Sequence, residues 1–321
     1  MTLAGGILRA VAMMGACALI ACTQPPAITT SPAPMPRPEQ VVIVPQPVVV
    51  PKADVDPRLA TYYKRLENDL LVRGLLRTDG GGPDTPFTDT MLARNFVRIA
   101  LFDEYISDGD LLRAQATASN LRRWDRPVRM AVEFGATIPA AQRAKDTAIV
   151  NRYAARLARA TRHPITVSNS NPNFHVMFLN EADRHGAEAR LRQLVPGIAN
   201  SSLRAIINLP RDQLCIVVAF SEGGRSDYTK AIAVIRGEHP DLLRRSCVHE
   251  ELAQGLGLAN DSPAARPSIF NDDEEFGLLT THDELLLRML YDTRLRSGMA
   301  PAIAAPIARL IATELTGGGA S

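Results

Sequence analysis

The residues best suited to chemistry fall in one stretch: Cys247-Val248-His249-Glu250-Glu251-Leu252-Ala253-Gln254-Gly255-Leu256-Gly257-Leu258-Ala259-Asn260-Asp261. A helix that holds a metal sets two ligands at i and i+4, one turn apart on one face, with a general-base Glu beside the first. In the longer form a Gly follows, where the helix stops and the chain swings a third ligand back. Read from Glu250, the register is Glu250-Glu251-x-x-Gln254-x-x-Gly257-x-x-Asn260. Glu251 takes the base position and Gly257 the helix-ending position, but the three ligand positions hold Glu250, Gln254 and Asn260. The register starting at His249 fails, because Ala253 stands four residues on.

Zinc prefers imidazole and thiolate, and amide side chains are weak, neutral ligands. Without zinc no bound water is acidified, so Glu251 has nothing to deprotonate. The first expectation is therefore a domain kept for binding, with Glu250, Gln254, Asn260 and Asp261 in a hydrogen-bond network and no cofactor. A second is a hard cation, Ca or Mg, on the oxygens of those four residues. A third is a hydrolase using Glu251 as acid or base. Glu250 and Glu251 are neighbours about 100° apart on a helix, so they cannot face each other as a glycosidase pair.

Other candidates are weaker. The six His are scattered; His175 reads as a strand residue in a core or surface role, and His282 as exposed in the first turn of the last helix. The run Asn271-Asp272-Asp273-Glu274-Glu275 could gather cations, but a solvated acidic loop is the commoner case. Serine lacks the G-x-S-x-G setting of a nucleophile elbow.

Several elements must position this stretch. Residues 58–77 have helical spacing and stop at Gly80-Gly81-Gly82-Pro83. Residues 91–105 are apolar and read as a strand or short helix, and residues 111–121 as a helix. From Trp124 the elements alternate. Residues 127–134 read as a strand, 140–160 as a long helix, and 165–167, 174–179, 214–220 and 231–235 as further strands. Gly223-Gly224 turns the last two into a hairpin. After the motif helix, residues 280–295 read as an amphipathic helix with Leu285, Leu286, Met289 and Leu290 inward, and residues 301–315 as an Ala-rich helix.

The 321 residues are ample for one core, and the formal net charge of +2 with scattered Arg argues against nucleic acid as a partner. At the N-terminus, Arg9 precedes a short apolar run ending in Leu19-Ile20-Ala21-Cys22, which resembles a bacterial lipobox. That resemblance implies a cleaved signal at residues 1–21 and a lipidated Cys22 anchoring the protein to the membrane, facing the periplasm. Thr23 in place of Asp favours the outer membrane over the inner. The alternative is an ordinary signal peptide with an incidental Cys. Residues 22–57 are Pro-rich and read as a polyproline stalk of about 80–100 Å. In an oxidising periplasm the remaining pair, Cys215 and Cys247, is expected to form a disulfide worth roughly 3–4 kcal/mol, two buried thiols being the alternative.

The order strand, long helix, strands, motif helix, turn and final helix resembles a metzincin-type zinc peptidase, most nearly a matrixin, over about residues 126–295. The specific matches are Gly255-Leu256-Gly257-Leu258, Ser268-Ile269-Phe270-Asn271, Leu279-Thr280-Thr281-His282-Asp283 and Leu290-Tyr291. In matrixins the analogous turn is Ser-Ile-Met; here Phe270 replaces the Met. The Leu-Thr-x-x-Asp segment implies an N-cap for the last helix. The whole pattern also resembles an uncharacterised DUF-type family of bacterial periplasmic lipoproteins. The resemblances imply an α+β fold: a zincin-like mixed sheet packed with a long helix and the motif helix, with extra helices at both ends. The expected layout is a helical extension at residues 58–122, the zincin-like domain at 123–299 and a C-terminal helix and tail at 300–321. The partner expected in the cleft is an envelope protein or peptide.

Overall fold

A computed structural model of the chain describes residues 56–317 apart from 109, 110 and 272. The expected signal segment, Cys22 and all but the end of the stalk lie outside the described residues.

The first helix, α1 (Pro57–Val72), begins where its composition directs: Pro57 sits in the first turn, and the Asp56 carboxylate accepts from the Arg58 N–H at 2.9 Å. Helix α2 (Asp89–Ala100) is capped by Thr88, whose hydroxyl accepts from the Met91 N–H at 3.2 Å. An antiparallel hairpin follows, β1 (Phe102–Asp108) with β2 (Leu111–Ala118). Residues 111–118 were expected to be helical from their Leu, Ala, Arg and Gln content. Pairing with β1 outweighs that propensity, which amounts to only tenths of a kcal/mol per residue.

The main sheet is built from β3 (Val128–Phe134), β4 (Ile165–Val167), β5 (Phe174–Leu179), β6 (Cys215–Ser221) and β7 (Tyr228–Arg236). Its order is β4-β3-β5-β7-β6; the first three pairings are parallel and β6 runs antiparallel along the edge. Gly223 and Gly224, at φ of 61° and 72°, supply the left-handed backbone that the β6–β7 turn needs. The fold is α+β, as the sequence indicated.

Alternation along the central strands divides the core in two. Met177, Leu179, Ile232 and Val234 face one way, against Leu191 of α5 (Glu188–Leu194) and Leu203 and Ile206 of α6 (Asn200–Ile207). Phe174, Val176, Phe178, Ala233 and Ile235 face the other way, into the larger core. That core draws on the long helix (Ala140–Thr161), the motif helix (Asp241–Gln254), a following helix (Thr281–Leu290) and a C-terminal helix (Pro301–Thr316). With a short helix at Glu181–His185 these become α3 (Ala140–Thr161), α4 (Glu181–His185), α7 (Asp241–Gln254), α8 (Thr281–Leu290) and α9 (Pro301–Thr316). Helix α8 stops at Leu290, short of residue 295, and within it Leu286, Met289 and Leu290 are buried while Leu285 is half-buried.

His282 is not exposed, as its position in a first turn had indicated. It is fully buried, with Nε2 3.1 Å from Asn95 Nδ2 on α2 and its ring edge-on to Phe87. Helix α2 covers the start of α8, a long-range contact that local spacing does not report.

Candidate functional site

Helix α7 is held on every side. Its Cys247 is bonded to Cys215 on the edge strand β6. Arg244 donates to Asp146 on α3 at 2.8 Å, both side chains almost completely buried. The Tyr153 hydroxyl donates to the His249 carbonyl at 2.6 Å, its ring stacks on the imidazole at 4.0 Å, and His249 Nδ1 accepts from the Leu279 N–H. His249 thus faces α3 and α8, away from the acidic side of its own helix. Burial, with Arg245 and Arg156 nearby, drives its pKa well below the ordinary value, so it is neutral.

The helix proper ends at Gln254, three residues before Gly257. Its last carbonyls need partners. Trp124 Nε1 donates to the Gly255 carbonyl at 2.8 Å and the Tyr291 hydroxyl to the Leu256 carbonyl at 3.0 Å. Gly257 then turns the chain at φ 125°, where a Cβ would stand 2.2 Å from the Arg122 carbonyl oxygen. Asn260 fixes the returning loop, its amide donating to the carbonyls of Arg98 and Asp261 at 2.9 and 2.8 Å.

The downstream turn and α8 are tied together. The Ser268 hydroxyl (2.6 Å), the Ile269 N–H and the Thr280 N–H all donate to the Asp283 carboxylate, and the Thr280 hydroxyl accepts from the Asp283 N–H. The expected N-cap at Thr280 is thus a full capping box with Asp283, and it also pins the Ser268-Ile269-Phe270 turn.

Between β6 and α7 lies a cleft of about 460 Å³. Glu250, Glu251, Gln254 and Asp261 line it, as do Asp103 and Glu104 from β1, Arg122, Tyr228 and Glu274. Four of the sequence-derived site residues therefore come together. Asn260, Gly257 and Phe270 do not line the cleft: Asn260 and Gly257 shape its loop, and Phe270 is buried in the core. Glu104 and Glu274 escaped sequence reasoning. Nothing local marks Glu104, and Glu274 belongs to the stretch read as a solvated loop.

The floor is strongly acidic. Glu251 is 4% exposed, and its Oε2 has no hydrogen-bond partner among the described residues. Burial, then the charges of Glu104 and Asp261, push its carboxyl well above the usual range. Glu250 is raised in the same way, by burial and then by Asp261, Glu251, Glu274 and Glu104. Gln254 Nε2 donates to Asp261 Oδ1 at 3.1 Å. Arg122, the cation lining the cleft, is paired with Asp103 at 3.0 Å. Oxygens of Glu250 and Glu251 and the Cys215 sulfur lie within 4.8 Å of one another, but that sulfur is bonded to Cys247 and offers no thiolate. Among the described residues lining the cleft there is no His. The donor set does not fit a catalytic zinc.

A family described as Protein of unknown function (DUF2927) matches residues 89–309. The chain belongs to that family. No curated protein and no solved structure matches it. The matched span of this DUF2927 member runs from the start of α2 into α9, and so includes β1, which carries Glu104 to the cleft.

Proposed function

We propose that the chain is a lipid-anchored protein of the bacterial envelope, facing the periplasm, whose zincin-like domain seats a segment of another envelope component without zinc chemistry. The observation that carries this reading is the cleft's wall. All of Cys215, Ile216, Val217, Val218 and Ala219 border the cleft. Side chains alternate along a strand, so five consecutive residues border one space only where the strand's backbone edge forms the wall. Strand β6 has β7 on one side and, among the described residues, no strand on the other, the arrangement that accepts an extended segment by strand addition. The Asp283 clamp between the Ser268 turn and α8 supports the zincin-like comparison. No helix among the described residues is long and apolar enough to cross a membrane; in this reading the anchor is the lipid on Cys22.

Two substitutions test the wall. Of Val217→Pro and Val218→Pro, one removes an N–H directed at the cleft while the other removes one used by β7. The reading expects the folded variant of the two to lose co-purification of an envelope protein that Glu251→Gln retains. Retention by both Pro variants refutes strand addition. For the anchor, Cys22→Ala is expected to release the protein from the membrane fraction.

A second reading rests on Glu251 alone. A buried carboxyl with its pKa raised by burial and by the neighbouring Glu104 and Asp261 charges holds its proton more tightly than an ordinary carboxyl, which suits a general acid. It requires a peptide- or wall-degrading activity that disappears in a folded Glu251→Gln variant.

A further inference from the structure

The acidic floor calls for a ligand of its own. Glu250 and Glu251 present carboxylate oxygens within 4.8 Å of each other, the reach of one ion between them. Glu104, Asp261 and Glu274 border the same cleft from three other segments, and Gln254 adds an amide. Among the described residues lining the cleft the one Lys or Arg is Arg122, which is paired with Asp103. Four buried carboxylate oxygens lack a hydrogen-bond partner among the described residues, on Asp146, Asp227, Glu238 and Glu251; such an oxygen calls for a donor, water or ion, and of the four residues only Glu251 lines this cleft. Glu251 lines the cleft together with the carboxylates of Glu250, Glu104, Asp261 and Glu274.

From this juxtaposition we infer that the floor is a seat for one hard divalent cation, calcium in class, held by Glu250 and Glu251 and completed by Glu104 and Asp261. The donors are all oxygen, which excludes the soft-ligand metals. They arrive from β1, from α7 and from the loop after it, an irregular set. Calcium accepts six to eight oxygens in flexible geometry, whereas magnesium demands a near-ideal octahedron and keeps most of its waters. A cleft of about 460 Å³ leaves room for water ligands beside the protein's own. A calcium ion here would neutralise the floor under β6 and offer its open positions to a carbonyl or carboxylate of whatever lies along that strand.

This inference uses the cleft of the proposed function but does not need a peptide in it. The test uses the full-length chain in detergent, stripped with chelator and titrated with calcium chloride by calorimetry and equilibrium dialysis. One calcium per chain is expected, with a dissociation constant no weaker than about 10⁻³ M, the range of extracellular calcium modules. Glu251→Gln and Glu250→Gln are each expected to weaken uptake at least tenfold, and the exposed Glu188→Gln to leave it unchanged. Folding of each variant is checked by circular dichroism. Should neither variant fold, the wild-type isotherm decides, since calcium must bind with one-to-one stoichiometry and ahead of zinc and magnesium. No saturable uptake at about 10 mM, uptake unaltered in a folded Glu251→Gln variant, or preference for zinc overturns the inference. Partner co-purification is measured separately in chelator: partner retained without calcium uptake sinks the cation alone, and the reverse sinks the peptide alone.

Discussion

The two sides of α7 differ in how their polar groups are answered. On the side toward α3, Arg244 meets Asp146, the His249 carbonyl meets Tyr153, and His249 Nδ1 meets a backbone N–H. On the side toward β6, two adjacent carboxylates are crowded by further acids; Glu251 Oε2 and, on the other side, Asp146 Oδ2 both lack a hydrogen-bond partner among the described residues, but Asp146 has the opposite charge of Arg244 against it. Folding alone would favour the first arrangement everywhere. The difference teaches that one helix carries both the structure's anchor and its unsatisfied chemistry, and that substitutions on the two sides should move stability in opposite directions.

The largest expected break is on the anchored side. Asp146→Ala leaves Arg244 buried beside the His239 carbonyl without its main counter-charge, and should cost about 3 kcal/mol in denaturant unfolding. Next comes the bridge between wall and floor. Replacing both Cys215 and Cys247 by Ser is expected to cost about 2–4 kcal/mol, read as a lower melting temperature in non-reducing buffer. Gly257→Ala tests the turn that ends the acidic side; with a positive φ and a carbonyl in the way of its methyl, it should cost about 2–3 kcal/mol. A neutral result there would mean that the loop after α7 is not held as described.

The smallest effect has the opposite sign. A carboxyl whose folded pKa is raised binds its proton more tightly in the folded than in the unfolded state. It therefore lowers stability as pH climbs above its unfolded value, near 4.5. In chelator at neutral pH, Glu251→Gln should stabilise the protein by about 0.5–2 kcal/mol, and the gain should fade as pH falls below about 4.5. Equal stability of the two proteins at pH 7 and pH 4 would erase the contrast between the sides of α7.

Much of the frame was legible. The apolar runs of β3 to β7, the length of α3, the capping residues of α8 and the terminal Pro301 helix all announce themselves locally, as does the Cys215–Cys247 pairing. The helices α4 to α6 carried no strong signal, each being eight residues or shorter. The β1–β2 hairpin was read wrongly at residues 111–118 because good helix formers sit in a strand imposed by its partner. Missing the hairpin also hid the route by which Glu104 on β1 reaches the site. Glu250, Glu251, Gln254 and Asp261 lie in one local segment and could be read together, whereas Glu104 reaches them only through the packing of a hairpin about 150 positions away in sequence. His282 illustrates the same limit, since its burial depends on α2.

Trp124 sits where the motif helix closes. It is the chain's single tryptophan, and its indole N–H is tied to the carbonyl that closes the motif helix. The molecule thereby carries one optical reporter at the end of its candidate site, so anything that shifts that helix terminus will register in the emission of one defined ring, without an added label.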